Sequence, residues 1–204
     1  VTLQERADAY ATAFARFPAS HLRVVEEHGE PCLYGTWLIG NDYRRKHHFY
    51  GEYPPSYVDR VMALFPDVDE DSVLHAFSGS VPAGRYLRLD SNPAHRPDLL
   101  GSVYDVRALL DQDYPDPRYS AQLVLADPPY SAADAEQYET AMVDRRRAMA
   151  ALSEVVGVGR HLVWLDCVWP MHRKTEWRTV GRIALIRSTN HRIRLISIFE
   201  RQAG

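Results

Sequence analysis

Six short apolar runs between Val73 and Phe199, most of them separated by stretches of helical spacing, constrain this chain more than any other feature. They are Val73–Phe77, Tyr86–Asp90, Gln122–Ala126, His161–Leu165, Arg182–Arg187 and Ile193–Phe199. Strands that alternate with helices pair in parallel and carry helices on both faces. Between the last two runs stand only Ser188-Thr189-Asn190-His191, too few residues for a crossover helix, so that pair must be antiparallel. The predicted fold is therefore α/β, a mostly parallel sheet with helices on both faces and a terminal antiparallel hairpin. The longest predicted helix runs from Asp134 to Val155, with Ala135, Tyr138, Met142, Met149, Leu152 and Val156 at helical intervals and Gly157-Val158-Gly159 as its stop.

Ahead of the alternation the chain reads differently. Leu3, Ala7, Tyr10, Phe14 and Phe17 have helical spacing up to the break at Pro18. Residues 30–55 read as irregular, rich in Gly, Pro, His and aromatics. Ser56 is placed to N-cap a second helix that carries Tyr57, Val58, Val61, Met62, Leu64 and Phe65 and closes at Pro66. A chain of 204 residues supports one substantial core, so residues 1–204 are expected to form one domain. In it, residues 1–55 would be an N-terminal helix and capping segment, and residues 56–204 the core.

Composition narrows the setting. A hydrophobic fraction of 46% and a charged fraction of 25% are those of a soluble globular protein. No apolar run approaches the ~18 residues of a membrane span, and Val1–Arg6 has no basic-then-apolar leader. With only Cys32 and Cys167, a reducing, cytoplasmic setting is expected. The histidines His47, His48, His172 and His191 and the two cysteines match no ligand spacing, so no metal is expected. Net charge is −3, yet from Arg160 onward nine Lys and Arg stand against three Asp and Glu. Two readings stay open for this stretch: one positive face toward a polyanion, or a solvated surface.

Ligands of open α/β sheets bind beyond the carboxyl ends of the strands. The run Phe77-Ser78-Gly79-Ser80 follows the first core strand, and its small residues permit close backbone approach. Asp90, followed by Ser91, ends the second strand and has two readings: an acceptor for ribose hydroxyls or a helix N-cap. Asp105, before Val106, is either a partner for an adenine amino group or another cap.

The most informative cluster is Asp127-Pro128-Pro129-Tyr130, into which the apolar strand Leu123–Ala126 runs directly. Two consecutive prolines remove two backbone donors and fix φ, which leaves neighbouring carbonyls outward-pointing and unpaired. The Asp127 carboxylate beside such a carbonyl forms a rigid pair of acceptors suited to an NH2 group. Tyr130 adds a flat face for a planar ring.

These motifs, in this order, resemble the class I S-adenosylmethionine-dependent methyltransferases, in particular those that modify adenine N6 in DNA, over roughly residues 43–200. The resemblance implies a Rossmann-like methyltransferase fold, S-adenosylmethionine as cofactor, and catalysis by Asp127, Pro128, Pro129 and Tyr130. It implies cofactor contacts from Tyr53, Pro54, Phe77, Ser78, Gly79, Ser80, Asp90, Ser91, Asp105 and Val106. The chain departs from the family's glycine pattern, because Val81 and Pro82 follow Ser80 and the next glycine is Gly84. The expected partner is nucleic acid, DNA ahead of RNA, with His48, Tyr50, Trp164, Arg187 and Arg192 facing it. Competing expectations are an RNA base methyltransferase (guanine N2 or adenine N6) and a non-catalytic cofactor-binding subunit. About twenty residues separate Asp105 from Asp127, too few for a target-recognition domain. Target specificity is thus expected to come from a partner or a homodimer.

Overall fold

A computed structural model of the chain describes residues 1–15, 21–40, 53–114, 119–130, 142–188 and 193–204. The strands are β1 (His21–Glu27), β2 (Glu30–Ile39), β3 (Val73–Ala76), β4 (Leu87–Asp90), β5 (Leu99–Leu100), β6 (Ala121–Ala126), β7 (Val156–Asp166), β8 (Trp177–Arg187) and β9 (Ile193–Arg201). They form one sheet in the order β1-β2-β8-β9-β7-β6-β3-β4-β5. β9 runs antiparallel to both β7 and β8, while β7, β6, β3, β4 and β5 are mutually parallel. This is the Rossmann-like α/β architecture, with its antiparallel hairpin formed by β8 and β9.

The four α-helices among the described residues are α1 (Leu3–Ala13), α2 (Tyr57–Leu64), α3 (Val106–Asp113) and α4 (Arg145–Ser153). Strand alternation sorts the core into two faces. Leu123 and Leu125 of β6 and Val163 and Leu165 of β7 pack with Tyr10, Tyr57, Val61 and Leu64 from α1 and α2. Val124, Ala126, Leu162 and Trp164 point the other way, onto Val106, Leu110, Met149 and Leu152 from α3 and α4. Each such fully buried aliphatic side chain contributes about 1.5–3 kcal/mol. Thr2 and Glu5 form a reciprocal capping box at the start of α1. One turn in, the buried Arg6 donates to the Leu64 carbonyl (3.0 Å) and to both oxygens of Asp67 (2.6 and 3.1 Å), tying α1 to the end of α2. No helix among the described residues is long and apolar enough to cross a membrane.

Three expectations need correction. Residues 30–39, read as irregular, form the ten-residue strand β2, which pairs with β1 on one side and in parallel with β8 on the other. The turn between β1 and β2 is His28-Gly29, both at positive φ (54° and 81°), the geometry of a two-residue hairpin of the primed type. Second, α4 starts only at Arg145, where the Asp144 side chain accepts from the Arg147 amide, so Met142 and Val143 lie outside it. Third, Gly157-Val158-Gly159 does not lie between helix and strand. It belongs to β7, where the register against β6 jumps from Val156 to His161 and Gly159 has φ of 74°. Ser56 does occupy the N-cap position of α2, but at φ of 59° and without a side-chain bond to the helix backbone.

Candidate functional site

Chain order along the sheet reverses at β3. The path runs β3, β4, β5 outward in one direction, then returns to place β6 on the other side of β3. Such a switch point opens a crevice at the carboxyl ends of the strands. A cavity of about 290 Å³ lies there, lined from the ends of β3, β4, β5 and β6, from Met142 and Val143, and from Arg194 of β9.

One half of the cavity is built by the loop after β3. Phe77 and Gly79 both adopt positive φ (59° and 52°). For Phe77 this conformation costs on the order of 1–2 kcal/mol, and its ring is held edge-on to Trp164, centroids 6.2 Å apart. The Gly79 amide donates to Asp90 Oδ2 (2.7 Å) and the Asn92 amide to Asp90 Oδ1 (2.8 Å). A carboxylate has about four lone-pair sites, so Asp90 retains acceptor capacity toward the cavity. Beyond Asp90 and Ser91 the wall is mainly apolar and aromatic: Leu89, Val103, Tyr104, Met142 and Val143, with Gly101 and Ser102 between. Tyr104 is fixed by its hydroxyl, which accepts from the Asp144 amide (2.7 Å), and by the Arg147 guanidinium 4.2 Å over its ring. The Asp90 carboxylate thus stands at the mouth of a mainly apolar slot bordered by Val103 and Tyr104.

The other half is the turn after β6. Asp127, Pro128, Pro129 and Tyr130 all line the cavity, and the Tyr130 hydroxyl donates to Asp127 Oδ1. Burial, and then the neighbouring Asp127, push the Tyr130 phenol well above its ordinary value, so it keeps its proton and acts as the donor. Burial first and Asp127 second do the same for Tyr57, whose buried hydroxyl has no hydrogen-bond partner among the described residues. Arg145, at the first position of α4, donates from Nη2 to the Tyr130 carbonyl (3.4 Å). Its remaining donors make a bidentate pair with Asp166 (2.6 and 3.1 Å), a carboxylate with no solvent exposure. Asp166 also accepts from Trp164 Nε1 (3.1 Å) and the Cys167 amide (2.6 Å). It thus lies beneath the turn rather than at a substrate mouth, and it links the Tyr130 carbonyl to the tryptophan that backs Phe77.

The predicted site residues fall into three sets. Phe77, Gly79, Asp90, Ser91 and the whole Asp127–Tyr130 turn share one cavity wall. Tyr53, Pro54, Ser78, Ser80, Asp105, Val106, Trp164 and Arg187 do not line it. Tyr53 packs on the α1–α2 side of the sheet, stacked on Tyr57 (5.1 Å) with its hydroxyl 3.3 Å from His75 Nδ1. Asp105 is exposed at the N-cap of α3. Ser78 and Trp164 are buried beneath the loop, and Arg187 closes β8. His48, Tyr50 and Arg192 lie outside the described residues. Sequence reasoning did not single out Leu89, His95, Val103, Tyr104, Met142, Val143 and Arg145. Their only signal was position beside a strand end or helix start.

Much of the basic C-terminal stretch is spread out along β8 or paired with acids. Arg178 and Arg187 sit at opposite ends of β8, roughly 30 Å apart at ~3.3 Å per residue. Arg178 pairs with Glu30 (2.7 Å) and Glu200 (3.2 Å), Arg173 with Glu176 (3.0 Å), and Arg182 with Glu27. Arg194 alone of this stretch, among the described residues, lines the cavity.

No family model matches the chain, and no curated protein matches it. Among solved structures, it is similar to TrmN from Thermus thermophilus at 12% identity and a TM-score of 0.40, over 63% of this chain and 43% of that one. The N-methyltransferase NodS from Bradyrhizobium japonicum WM9 matches at 10% identity and a TM-score of 0.38, over 64% of this chain and 85% of that one. An rRNA methylase from Streptococcus thermophilus matches at 8% identity and a TM-score of 0.35, over 66% of this chain and 89% of that one. Likenesses of this size carry no functional argument, and the chain spans less than half of the TrmN chain, so the function has to be read from the cavity itself.

Proposed function

We propose that the chain is an S-adenosylmethionine-dependent N-methyltransferase that acts on an exocyclic amino group of a nucleic-acid base, adenine N6 in DNA foremost. The observation that carries this reading is the meeting of Asp127-Pro128-Pro129-Tyr130 with Asp90 and the Phe77–Gly79 loop in one cavity at the switch point. The cavity's donor set fits the cofactor: Asp90 would accept its ribose hydroxyls, Val103 and Tyr104 would flank its adenine, and Phe77 and Gly79 would border its amino-acid end. When bound, the cofactor supplies an electrophilic methyl group on a cationic sulfur.

The chain's own contribution is to make a poor nucleophile attack in line. An aromatic amine's lone pair is delocalised into its ring. Asp127, accepting from one N–H, draws the nitrogen toward sp3 and frees the lone pair along the line of attack. The Tyr130 hydroxyl, bonded to the same carboxylate, keeps Asp127 aimed. Asp127 would also be placed to take the proton that the nitrogen gives up once it is methylated, with solvent as the alternative acceptor. Holding both reactants in such an alignment is worth about 7–11 kcal/mol. A base within a duplex would have to be flipped out to reach the turn.

Asp127→Ala is expected to lower methyl transfer by a factor of at least ~10² while cofactor affinity stays within about threefold. Nucleoside mass spectrometry after incubation of DNA and RNA with isotopically labelled cofactor checks this and names the base. Label on RNA only would redirect the substrate assignment. Equal loss of transfer and of cofactor binding in the variant would remove Asp127 from its assigned role.

A further inference from the structure

Among the described residues, Arg194 is the one cation of the C-terminal strands that faces the cavity, and its surroundings differ from those of its neighbours. Arg178 and Arg182 are each held by a glutamate, and Arg201 by the carbonyls of Ser153 (2.7 Å) and Glu176 (3.3 Å). The Arg194 guanidinium instead lies over the Tyr130 ring, 4.8 Å from its centroid, and no carboxylate among the described residues pairs with it. Tyr130 is in turn fixed through its hydroxyl to Asp127. Stacking occupies the face of a guanidinium and leaves its edge donors available as a planar fork, which suits an oxyanion.

Topology says from which side such an anion comes. The proposed cofactor half of the cavity is made by β3, β4 and β5. Arg194 is the second residue of β9, which lies on the opposite side of β6 with β7 between them. A group that reaches both Tyr130 and Arg194 therefore enters from the acceptor side.

We propose that Arg194 binds a phosphate of the acceptor strand, next to the base presented to Asp127, so that the acceptor is read as a nucleotide within a strand rather than as a bare nucleoside. The inference rests on the methyltransferase reading for its division of the cavity into cofactor and acceptor halves. The same oxyanion chemistry has a second source, the carboxylate of the cofactor, and the test separates the two.

The probe is a fluorescein-labelled single-stranded oligodeoxyadenylate, bound in the presence of S-adenosylhomocysteine and followed by anisotropy across a salt series. In Arg194→Gln the slope of log affinity against log salt should shrink by about 0.7, the contribution of one phosphate on a single strand. Arg194→Lys keeps the charge and should retain the slope, which separates loss of a phosphate contact from damage to the fold. As an independent arm on the unaltered protein, methylphosphonate linkages in the oligonucleotide should weaken binding more for wild type than for Arg194→Gln. An unchanged slope in Arg194→Gln overturns the proposal. So does a fall in S-adenosylhomocysteine affinity with the slope intact, which would assign the guanidinium to the cofactor. If the slope shrinks but the wild type transfers no methyl group to any nucleic acid, the phosphate contact stands and the catalytic reading falls. If the wild type methylates DNA while the slope is unmoved, the reverse holds.

Discussion

Replacing Arg145 by methionine would leave the Asp166 carboxylate fully buried with only Trp164 Nε1 and the Cys167 amide as strong donors. The guanidinium it loses makes two bonds, at 2.6 and 3.1 Å, from a side chain that is itself only 20% exposed. Removing one partner of a buried ion pair costs ~3–5 kcal/mol, because the remaining charge is stranded. Since three donors remain, the Val168 amide at 3.4 Å being the third, and Arg145 retains some contact with water, a value near the lower end, about 3 kcal/mol, is expected. For a chain of this size that corresponds to a fall in Tm of roughly 6–12 °C. The double variant Arg145→Met/Asp166→Asn removes the stranded charge while keeping an acceptor for Trp164, and should recover most of the loss. Urea denaturation of the four proteins of this cycle, read by tryptophan fluorescence, measures both quantities. A single variant within about 1 kcal/mol of wild type, or a double variant as unstable as the single, would show that the carboxylate does not depend on the guanidinium. In active protein the same variant frees the Tyr130 carbonyl, so turnover should fall further than cofactor affinity.

Two further outcomes concern the scaffold. Burial holds His75 down at about 4, with Arg88 adding to it, and burial with Arg6 holds His161 down at about 3. Both fold as neutral rings, so their contribution is fully present above the ordinary histidine value of about 6.5 and is lost as pH falls toward those values, at up to ~1.4 kcal/mol per pH unit for each. Unfolding free energies measured from pH 7 downward should decline on that slope, and His161→Gln should flatten it; a slope that is unchanged in the variant would refute the assignment. At Gly35, an added Cβ would stand 2.1 Å from the His21 carbonyl oxygen and 2.3 Å from Leu22 Cδ2. Gly35→Ala should therefore cost about 1–3 kcal/mol and deprotect the β1 amides in hydrogen exchange, with β6 and β7 unaffected. Unaltered protection of β1 would contradict the predicted clash.

The strands of the central sheet were legible because their apolar runs are short and sharply bounded, as at Leu123–Ala126 before Asp127. β2 was not, because Leu33, Trp37 and Ile39 face the core while Tyr34 and Leu38 on the other face are nearly as apolar, which blurs the two-residue rhythm. The predicted helix before β7 is not continuous through residues 142–144: Met142 keeps the spacing of Met149 and Leu152 although it serves as cavity wall, while residues 134–141 lie outside the described residues. Asp127–Tyr130 stood out since two prolines between an acid and an aromatic have a local physical meaning. The Arg145–Asp166 pair had none, its members being brought together only by the packing of α4 against β7. Asp105 kept two readings for a local reason: an acid at a helix start looks the same in sequence whether it faces a ligand or water, and the structure places it exposed at the N-cap of α3.

The parallel pairing of β2 with β8 has a consequence for how the chain reaches its native state. Leu33 meets Gly181 and Ile39 meets Arg187, so the β1–β2 hairpin borders a strand made nearly 150 residues later. At ~5–20 residues per second, the hairpin leaves the ribosome roughly 7–30 s before its neighbour exists. During that interval the β2 edge is unpaired, and Leu33, Trp37 and Ile39 have only local contacts to shield them. Contacts of such long sequence separation slow folding by the loop entropy that must be lost before they form. Synthesis of this chain therefore contains a built-in waiting period, in which the early hairpin has formed but the strand that covers its β2 edge has not.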